Sequence, residues 1–504
     1  MNYAELVAFI VYLLLVLAVG VYFFIKGRKA DGGDKDYFLG GRNMNGWVAA
    51  LSAGASDMSA WVLMGLPGSI YLAGMGQVWI SVGLLIGTIL AWVFVAPGLR
   101  RFSIKADDAI TIPQYLTNRF QTKNKALQII CAVIFVVVYC VYAASSIYAC
   151  GTLFNTVFGA KPIYAMVGAA AIIVIYTFLG GFNAVCWTDF FQGILMLIAL
   201  LAIPIIVTAT QDLDTSLLNN VYEYTDASGE VVVCDFGAGL FSAGWKDMIS
   251  GLGWGLGYFG MPHIIIRFMS IEKPSMVKKS SIIAIVWVVL SLGAACLVAY
   301  QARMIMGEEL LTQGLQKTVF IAMARKFFPP LISGFLLAAI MAASVSTADS
   351  QLLVASSSFT SDMYKPIFKK DAGEREVLWV GRLAVVIIAV VAFFIASSKG
   401  SGAQAIMNLV ENAWGVFGAA FGPTILLSLF WRRFNYKGAC AGVIAGALVD
   451  ILWLAFLSST GVYEIVPGFI AGGIAAIVVT LATEAPEKKV TDIYDEATRE
   501  GNDD

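Results

Sequence analysis

Charge is what this chain of 504 residues has least of: 13% of it is Asp, Glu, Lys or Arg, against about 25% in soluble proteins. That shortage excludes an ordinary soluble domain. Basic residues do not outnumber acidic ones (33 against 34), so no basic surface for nucleic acid is expected. Histidine occurs once, as His263. Neither an HExxH motif nor a close His/Cys set exists, and without an assembled nucleophile–base pair the chain reads as a non-enzyme. Cysteine is sparse and unpaired in pattern: Cys131, Cys140, Cys150, Cys186, Cys296 and Cys440 fall in or beside apolar runs, and Cys234 stands alone in a polar loop. A disulfide framework is not expected. No basic region precedes the apolar run 6–25, which is long enough to span a bilayer, so a cleavable signal peptide is not expected either.

What is present is apolar: 59% of the chain is hydrophobic. Thirteen spans are expected, near 4–25, 46–70, 75–98, 127–156, 161–181, 187–209, 243–267, 279–302, 328–357, 377–398, 405–431, 438–458 and 463–483. This is an all-α polytopic membrane protein. Lys26, Arg28, Lys29, Lys35 and Arg42 lie in one connection, and Arg100, Arg101, Lys105, Arg119, Lys123 and Lys125 in another on the same side. The 210–242 loop carries Asp212, Asp214, Glu223, Asp226, Glu230 and Asp235 with no Lys or Arg. The positive-inside rule then puts the N-terminus outside and the charged tail in the cytoplasm of a plasma (cytoplasmic) membrane protein.

The chain is organised around Leu51-Ser-Ala-Gly-Ala-Ser-Asp-Met-Ser-Ala-Trp61 and the Gly65-Leu-Pro-Gly68 that follows. An ionised carboxylate at membrane depth costs at least ~2.5 kcal/mol, so Asp57 should face a partner or a water-filled cavity. Gly54, Gly65 and Pro67 weaken helix continuity on either side. Span seven repeats the oddity with Gly251, Gly253, Gly255 and Gly257, then Gly260 and Pro262. Five spans separate the two, so five-span units starting at each have opposite topology. Paired interrupted segments in two inverted halves point to a transporter's central site. A helix with a small-residue packing face is the plainer reading of either segment alone.

Span nine supplies ligand chemistry. Ala343, Ser346, Thr347 and Ser350 share one helix face, with Asp349 beside them. Carbonyl, hydroxyl and carboxylate oxygens suit a hard alkali cation. Asp189 in span six is expected near the cytoplasmic end, either snorkelling to the interface or lining an ion exit path. Asp450 in span twelve is expected to have a structural partner, and His263 to be a buried structural residue.

Several runs resemble the sodium:solute symporter family: Asp36-Tyr-Phe-Leu-Gly-Gly-Arg42, the 51–59 stretch, Trp187-Thr-Asp189 with Gln192, Trp254-Gly-Leu-Gly-Tyr-Phe-Gly260, Pro262-His263, and Ala413-Trp-Gly415 with Phe417-Gly-Ala-Ala-Phe-Gly-Pro423. The resemblance extends from the first span to about residue 485. It implies about thirteen transmembrane helices around an inverted five-plus-five core of the leucine-transporter type, broken at spans two and seven. The implied divisions are an extra span and loop (1–45), a first repeat (46–209), an extracellular loop (210–242), a second repeat (243–431), two further spans (432–484) and a cytoplasmic tail (485–504).

The same resemblance implies Na+ as the coupling ion, held by main-chain oxygens of Ala55, Met58 and Ala343 and the hydroxyls of Ser346 and Thr347. A second cation site would use Asp189, Asp349 and Ser350 with Ser346. The implied solute is a small amino acid, L-proline first, at Asp57, Ser59, Trp61, Gly65, Tyr142, Trp254, Tyr258, Met261 and Pro262. Ala60 and Met261 stand where the family's proline carriers have Gly and Gln, and Asp349 where the second-site pattern has Ser. Aromatic walls suit proline's ring, and the positive end of a broken helix suits its carboxylate.

The partners expected are sodium, the solute and membrane lipid, with no nucleic acid and no obligate protein partner. A sodium- or proton-coupled symporter for another amino acid or organic solute is the alternative. A passive channel fits two broken helices less well, and a nutrient sensor would need more than the short tail after the last span.

Overall fold

The computed structural model describes residues 2–27, 33–213, 215–219, 221–225, 231–236, 243–311, 314–398 and 404–499. Arg28, Lys29, Asp214, Asp226, Glu230 and the tail's last residues, 500–504, lie outside them. The apolar runs fold as helices, because at membrane depth each segment must satisfy its own backbone amides. In chain order these are α1 (Tyr3–Gly27), α2 (Gly33–Leu39), α3 (Gly46–Met58), α4 (Leu66–Ala73), α5 (Val78–Leu90), α6 (Ala96–Lys105), α7 (Ile112–Arg119), α8 (Ala126–Phe158) and α9 (Pro162–Thr210). A short antiparallel hairpin follows, β1 (Val221–Thr225) with β2 (Val231–Asp235). Its β-branched and aromatic residues give strand pairing where only a loop is expected from the sequence. Then come α10 (Trp245–Gly253), α11 (Pro262–Ser270), α12 (Met276–Met306), α13 (Val319–Phe327), α14 (Pro330–Ser358), α15 (Glu374–Ser398), α16 (Gln404–Phe430), α17 (Tyr436–Phe456), α18 (Ile465–Ala482) and α19 (Lys488–Arg499).

Among the described residues, ten helices are long and apolar enough to cross a membrane. The thirteen expected spans differ from these ten at three places. Span two is α3 and α4 with an irregular joint: Ser59 has φ 42° and ψ −172°, and a π turn, Trp61–Gly65, follows. Span seven is α10, a 3₁₀ stretch (Trp254–Phe259) and α11. Met261 is extended (φ −74°, ψ 108°) because the ring of Pro262 disfavours the helical region for the residue before it. Spans five and six run together as α9, which turns at Gly181 (φ 59°, ψ −158°). That region is essentially open to glycine alone, and a Cβ there would stand 2.7 Å from the Tyr37 ring.

The interrupted segments lie inside the bundle. α3 packs on α9, α11, α12 and α14, and the 3₁₀ stretch packs between α5 and α16. The α5 contact is backbone on backbone: a Cβ on Gly255 would stand 3.0 Å from the Gly83 carbonyl carbon and 3.3 Å from the Gly87 nitrogen. Glycine at these three positions lets the unwound segment reach the centre.

Candidate functional site

Where α3 ends at Ser59, the carbonyls of its last turn lose the amides that a continuous helix would bring to them. Side chains of α14 meet that end. The Ser346 hydroxyl donates to the Ala55 carbonyl at 2.8 Å and to the Ala343 carbonyl at 3.1 Å, and Thr347 Oγ1 donates to the same Ala343 oxygen at 3.0 Å. All four residues are fully buried. Four of the five residues expected at the first cation site therefore share one hydrogen-bonded group. The fifth, Met58, lines the neighbouring cavity. The donor set is carbonyl and hydroxyl oxygen at the negative end of a helix, which is suited to a hard monovalent cation.

Asp57, the second residue after Ala55, accepts a hydrogen bond from the Tyr258 hydroxyl of the 3₁₀ stretch. The two broken segments are thus tied through a carboxylate. Beside it is a cavity of about 10 Å³, lined by Asp57, Ser59, Trp61, Tyr142 and Trp254 among others. That space suits a single water, so an organic solute enters only if the lining side chains part. The rings of Trp61 and Trp254 stack at 5.4 Å, and Tyr463 backs Trp254 at 5.3 Å.

Five residues of the expected solute site line the cavity. Gly65, Tyr258, Met261 and Pro262 are not in its lining: Gly65 lies against the Trp61 ring, Met261 is fully buried, and Pro262 opens α11. Sequence reasoning missed Leu84, Val410 and Trp414, which do line it. For Trp414 a signal existed, the Ala-Trp-Gly run; its indole donates to the Trp254 carbonyl at 2.8 Å.

The residues expected at a second cation site also converge, but around a side chain that was not expected. Arg267 of α11 donates to Asp189 Oδ2 at 2.8 Å, to Ser350 Oγ at 2.5 Å and to Ser52 Oγ at 2.7 Å, and also to the His263 carbonyl. Asp349 accepts from Tyr176 and, at 3.2 Å, from Ser350. A guanidinium tethered to the chain stands among these oxygens. Its signal in the sequence was a lone Arg inside a span. Asp189 is fully buried in this ion pair, which corrects the interfacial, snorkelling reading. His263 is buried, its Nδ1 3.2 Å from the Tyr139 hydroxyl. Asp450 corrects a second expectation: among the described residues neither of its carboxylate oxygens has a hydrogen-bond partner.

On the side of the basic connections, Arg42 closes the bundle. It donates to Asp108 at 2.7 Å, to the Met269 carbonyl at 2.6 Å and to the Ala109 carbonyl at 2.7 Å, joining the entry to α3, the α6–α7 turn and the end of α11. Lys35 pairs with the same Asp108. Partial burial disfavours the charged Asp108, yet Lys35 and Arg42 together hold it below the usual carboxylate range.

The family model described as "Sodium:solute symporter family" matches residues 37–446. The chain is 40% identical over 492 residues to the sodium/proline symporter 2 of Staphylococcus saprophyticus, covering 96% of this chain and 93% of that protein. It is likewise 40% identical over 496 residues to the sodium/proline symporter of Staphylococcus aureus, with 96% and 94% covered. Among solved structures it is similar to a Na+-coupled sialic acid symporter in a substrate-bound outward-open state. The TM-score is 0.73 at 20% identity, covering 96% of this chain and 99% of the other. Mhp1, a nucleobase-cation-symport-1 family transporter in a closed conformation, matches with TM-score 0.54 at 12% identity over 92% and 98% of the two chains. The last two establish the fold that is shared.

Proposed function

Because the chain belongs to the sodium:solute symporter family, we propose that it uses the inward sodium gradient to take up L-proline by alternating access across the cytoplasmic membrane. One observation carries the reading: the Ser346 hydroxyl joins the Ala55 carbonyl at the break of α3 to the Ala343 carbonyl of α14. Sodium, a co-substrate, would replace those hydroxyl protons as the partner of the carbonyls, with Met58 and Thr347 completing its oxygen set. Asp57 adds negative potential next to the ion and, through Tyr258, senses the second broken segment. Ser59, Trp61, Gly65, Tyr142, Trp254, Met261 and Pro262 form or border the solute site, where proline's ring meets indole faces and its carboxylate meets the amides freed at the breaks.

The architecture fits an inverted five-plus-five core over 46–209 and 243–431, flanked by the segment 1–45 and the spans of 432–484. Counting both interrupted segments and dividing α9 at Gly181 gives thirteen crossings. The N-terminus is then outside, and α19 is in the cytoplasm. The Arg42 latch and the Trp61–Trp254 stack close the cavity from opposite sides, and alternating access opens them in turn. Of the second-site residues, Asp189 and Ser350 hold Arg267 and Asp349 accepts from Ser350 beside it, which supports transport with one sodium.

Purified protein in liposomes tests this. With a sodium gradient imposed, labelled proline should accumulate, and replacing sodium by potassium should abolish accumulation. Unlabelled proline should compete where sugars do not; the reverse would defeat the solute assignment while leaving the family intact. Ser346→Ala and Thr347→Ala should each weaken sodium activation by roughly 1–3 kcal/mol, about five- to hundredfold, since each strands the ion one ligand short. Thr347→Ser keeps the oxygen and should be mild. Unaltered sodium activation in both alanine variants would remove these hydroxyls from the ion site.

A further inference from the structure

Asp450 is fully buried in α17, and neither of its carboxylate oxygens has a partner among the described residues. Glu464, the residue before α18, is 7% exposed, and its Oε1 also lacks a partner. Both acids press on the same point of α16: a Cβ on Gly415 would stand 3.0 Å from Asp450 Oδ2 and 3.4 Å from Glu464 Cγ. One turn earlier on α16, half-buried Glu411 offers its carbonyl to the Tyr463 hydroxyl at 2.8 Å. Tyr463 is the residue that backs Trp254 over the solute cavity. A cluster of acids from α16, α17 and the residue before α18 therefore sits behind the ring of Tyr463, which backs Trp254.

Among the described residues no positive group answers it. Lys246 of α10, which reaches Gly461 in the α17–α18 connection, holds its amine 5.9 Å over the Trp245 ring. Among the described residues no ion pair joins a basic side chain to Glu411, Asp450 or Glu464. An ionised carboxylate at membrane depth is costly, and two neighbouring ones repel besides. Something positive must be bound. A metal ion needs several converging oxygens, and among the described residues no three acidic, His or Cys side chains are placed to hold one. Gly415 already fills one side of Asp450. A proton needs no such space.

We propose that Asp450 and Glu464 form a proton-binding site, reached past Glu411 from the side of the acidic 210–242 loop, whose occupancy sets the affinity of the solute cavity. With the proton bound, the acids pack against Gly415 and Tyr463 supports Trp254. Without it, repulsion drives α17 and the start of α18 from α16, Tyr463 withdraws its support, and solute affinity falls. The proton regulates and is not carried across. Affinity is therefore highest at acid external pH and declines as that pH rises.

The test uses the full chain in liposomes with internal pH and sodium gradient constant and external pH varied. Its uptake arm rests on the proline reading above. Wild-type proline affinity should fall as external pH rises, by at most about tenfold per pH unit for one linked proton. Asp450→Asn, which mimics the protonated acid, should keep the acid-side affinity throughout. Glu464→Gln, which removes the repelling neighbour, should flatten the profile as well and serves if the first variant folds poorly. A second arm needs no solute: infrared spectra of the wild type should contain a protonated-carboxyl stretch that fades as pH rises and is missing from Asp450→Asn. A wild type that does not transport proline sinks the solute assignment alone, and the infrared arm still decides the proton site. A wild-type affinity that does not vary with pH, an unchanged pH profile in Asp450→Asn, or the absence of an Asp450-dependent carboxyl band overturns the site.

Discussion

Asp57→Asn is expected to lower the apparent sodium affinity of proline uptake by about a hundredfold, with proline affinity falling in parallel. Asp57 lies in the chain between Ala55 and Met58, whose carbonyls are the proposed ligands, so we place its charge about 5 Å from the ion. Opposite unit charges about 5 Å apart at an effective dielectric of about 20 attract by roughly 3 kcal/mol. Asn nearly preserves the shape and can still accept from Tyr258, but it loses that attraction. Asp57→Glu keeps the charge and displaces it in a packed break, so the expected order of sodium affinity is wild type, Glu, Asn. Proline must follow by linkage: if sodium raises proline affinity, proline raises sodium affinity by the same factor. Equilibrium binding of labelled proline to purified Asp57→Asn across a sodium series measures both at once. A wild-type sodium midpoint together with wild-type enhancement of proline binding would show that Asp57 is structural.

Arg267→Met is expected to destabilise the protein by roughly 3–5 kcal/mol, because removing one partner of a buried ion pair leaves the other charge uncompensated. Asp189, Ser52 and Ser350 all lose a donor in this variant. Arg267→Lys should rescue only part of the loss. An ammonium keeps the charge, but it lacks the planar fork that reaches three oxygens on three helices at once. Thermal unfolding of the detergent-solubilised protein should show the methionine variant well below the wild type and the lysine variant between them. Adding Asp189→Asn to Arg267→Met should return stability, since the stranded charge is then gone. A single variant that melts with the wild type would mean that Asp189 and Arg267 make no net contribution as a pair.

Sequence reasoning reached the Ser346–Thr347 stripe because helical periodicity places residues three and four apart on one face whatever surrounds them. It reached the breaks at spans two and seven because glycine and proline act on the backbone locally. It left Asp189 open between the interface and an ion path and missed its partner, and it expected a partner for Asp450 that is not found among the described residues, both for one reason. A carboxylate inside a span needs a positive partner or a proton, and the chain does not say which helix will supply it. Asp189 finds Arg267 across 78 residues of sequence; Asp450 finds no such partner among the described residues. The two look alike when read along the chain.

Apolar length, the side bias of Lys and Arg, and the small-residue breaks are properties of consecutive residues, and these alone determined that the chain is a multi-pass helical membrane protein with two weak points. Which carbonyl meets which hydroxyl depends on distances between segments hundreds of residues apart, and only packing decides those. Ser346 reaches Ala55 over 291 positions, where α14 packs directly on α3. The size of the central cavity and the guanidinium among the oxygens of Asp189, Ser350 and Ser52 belong to the same class of fact. Each is set by how close helices approach, a quantity that side-chain volume across an interface fixes and that order along one chain does not contain.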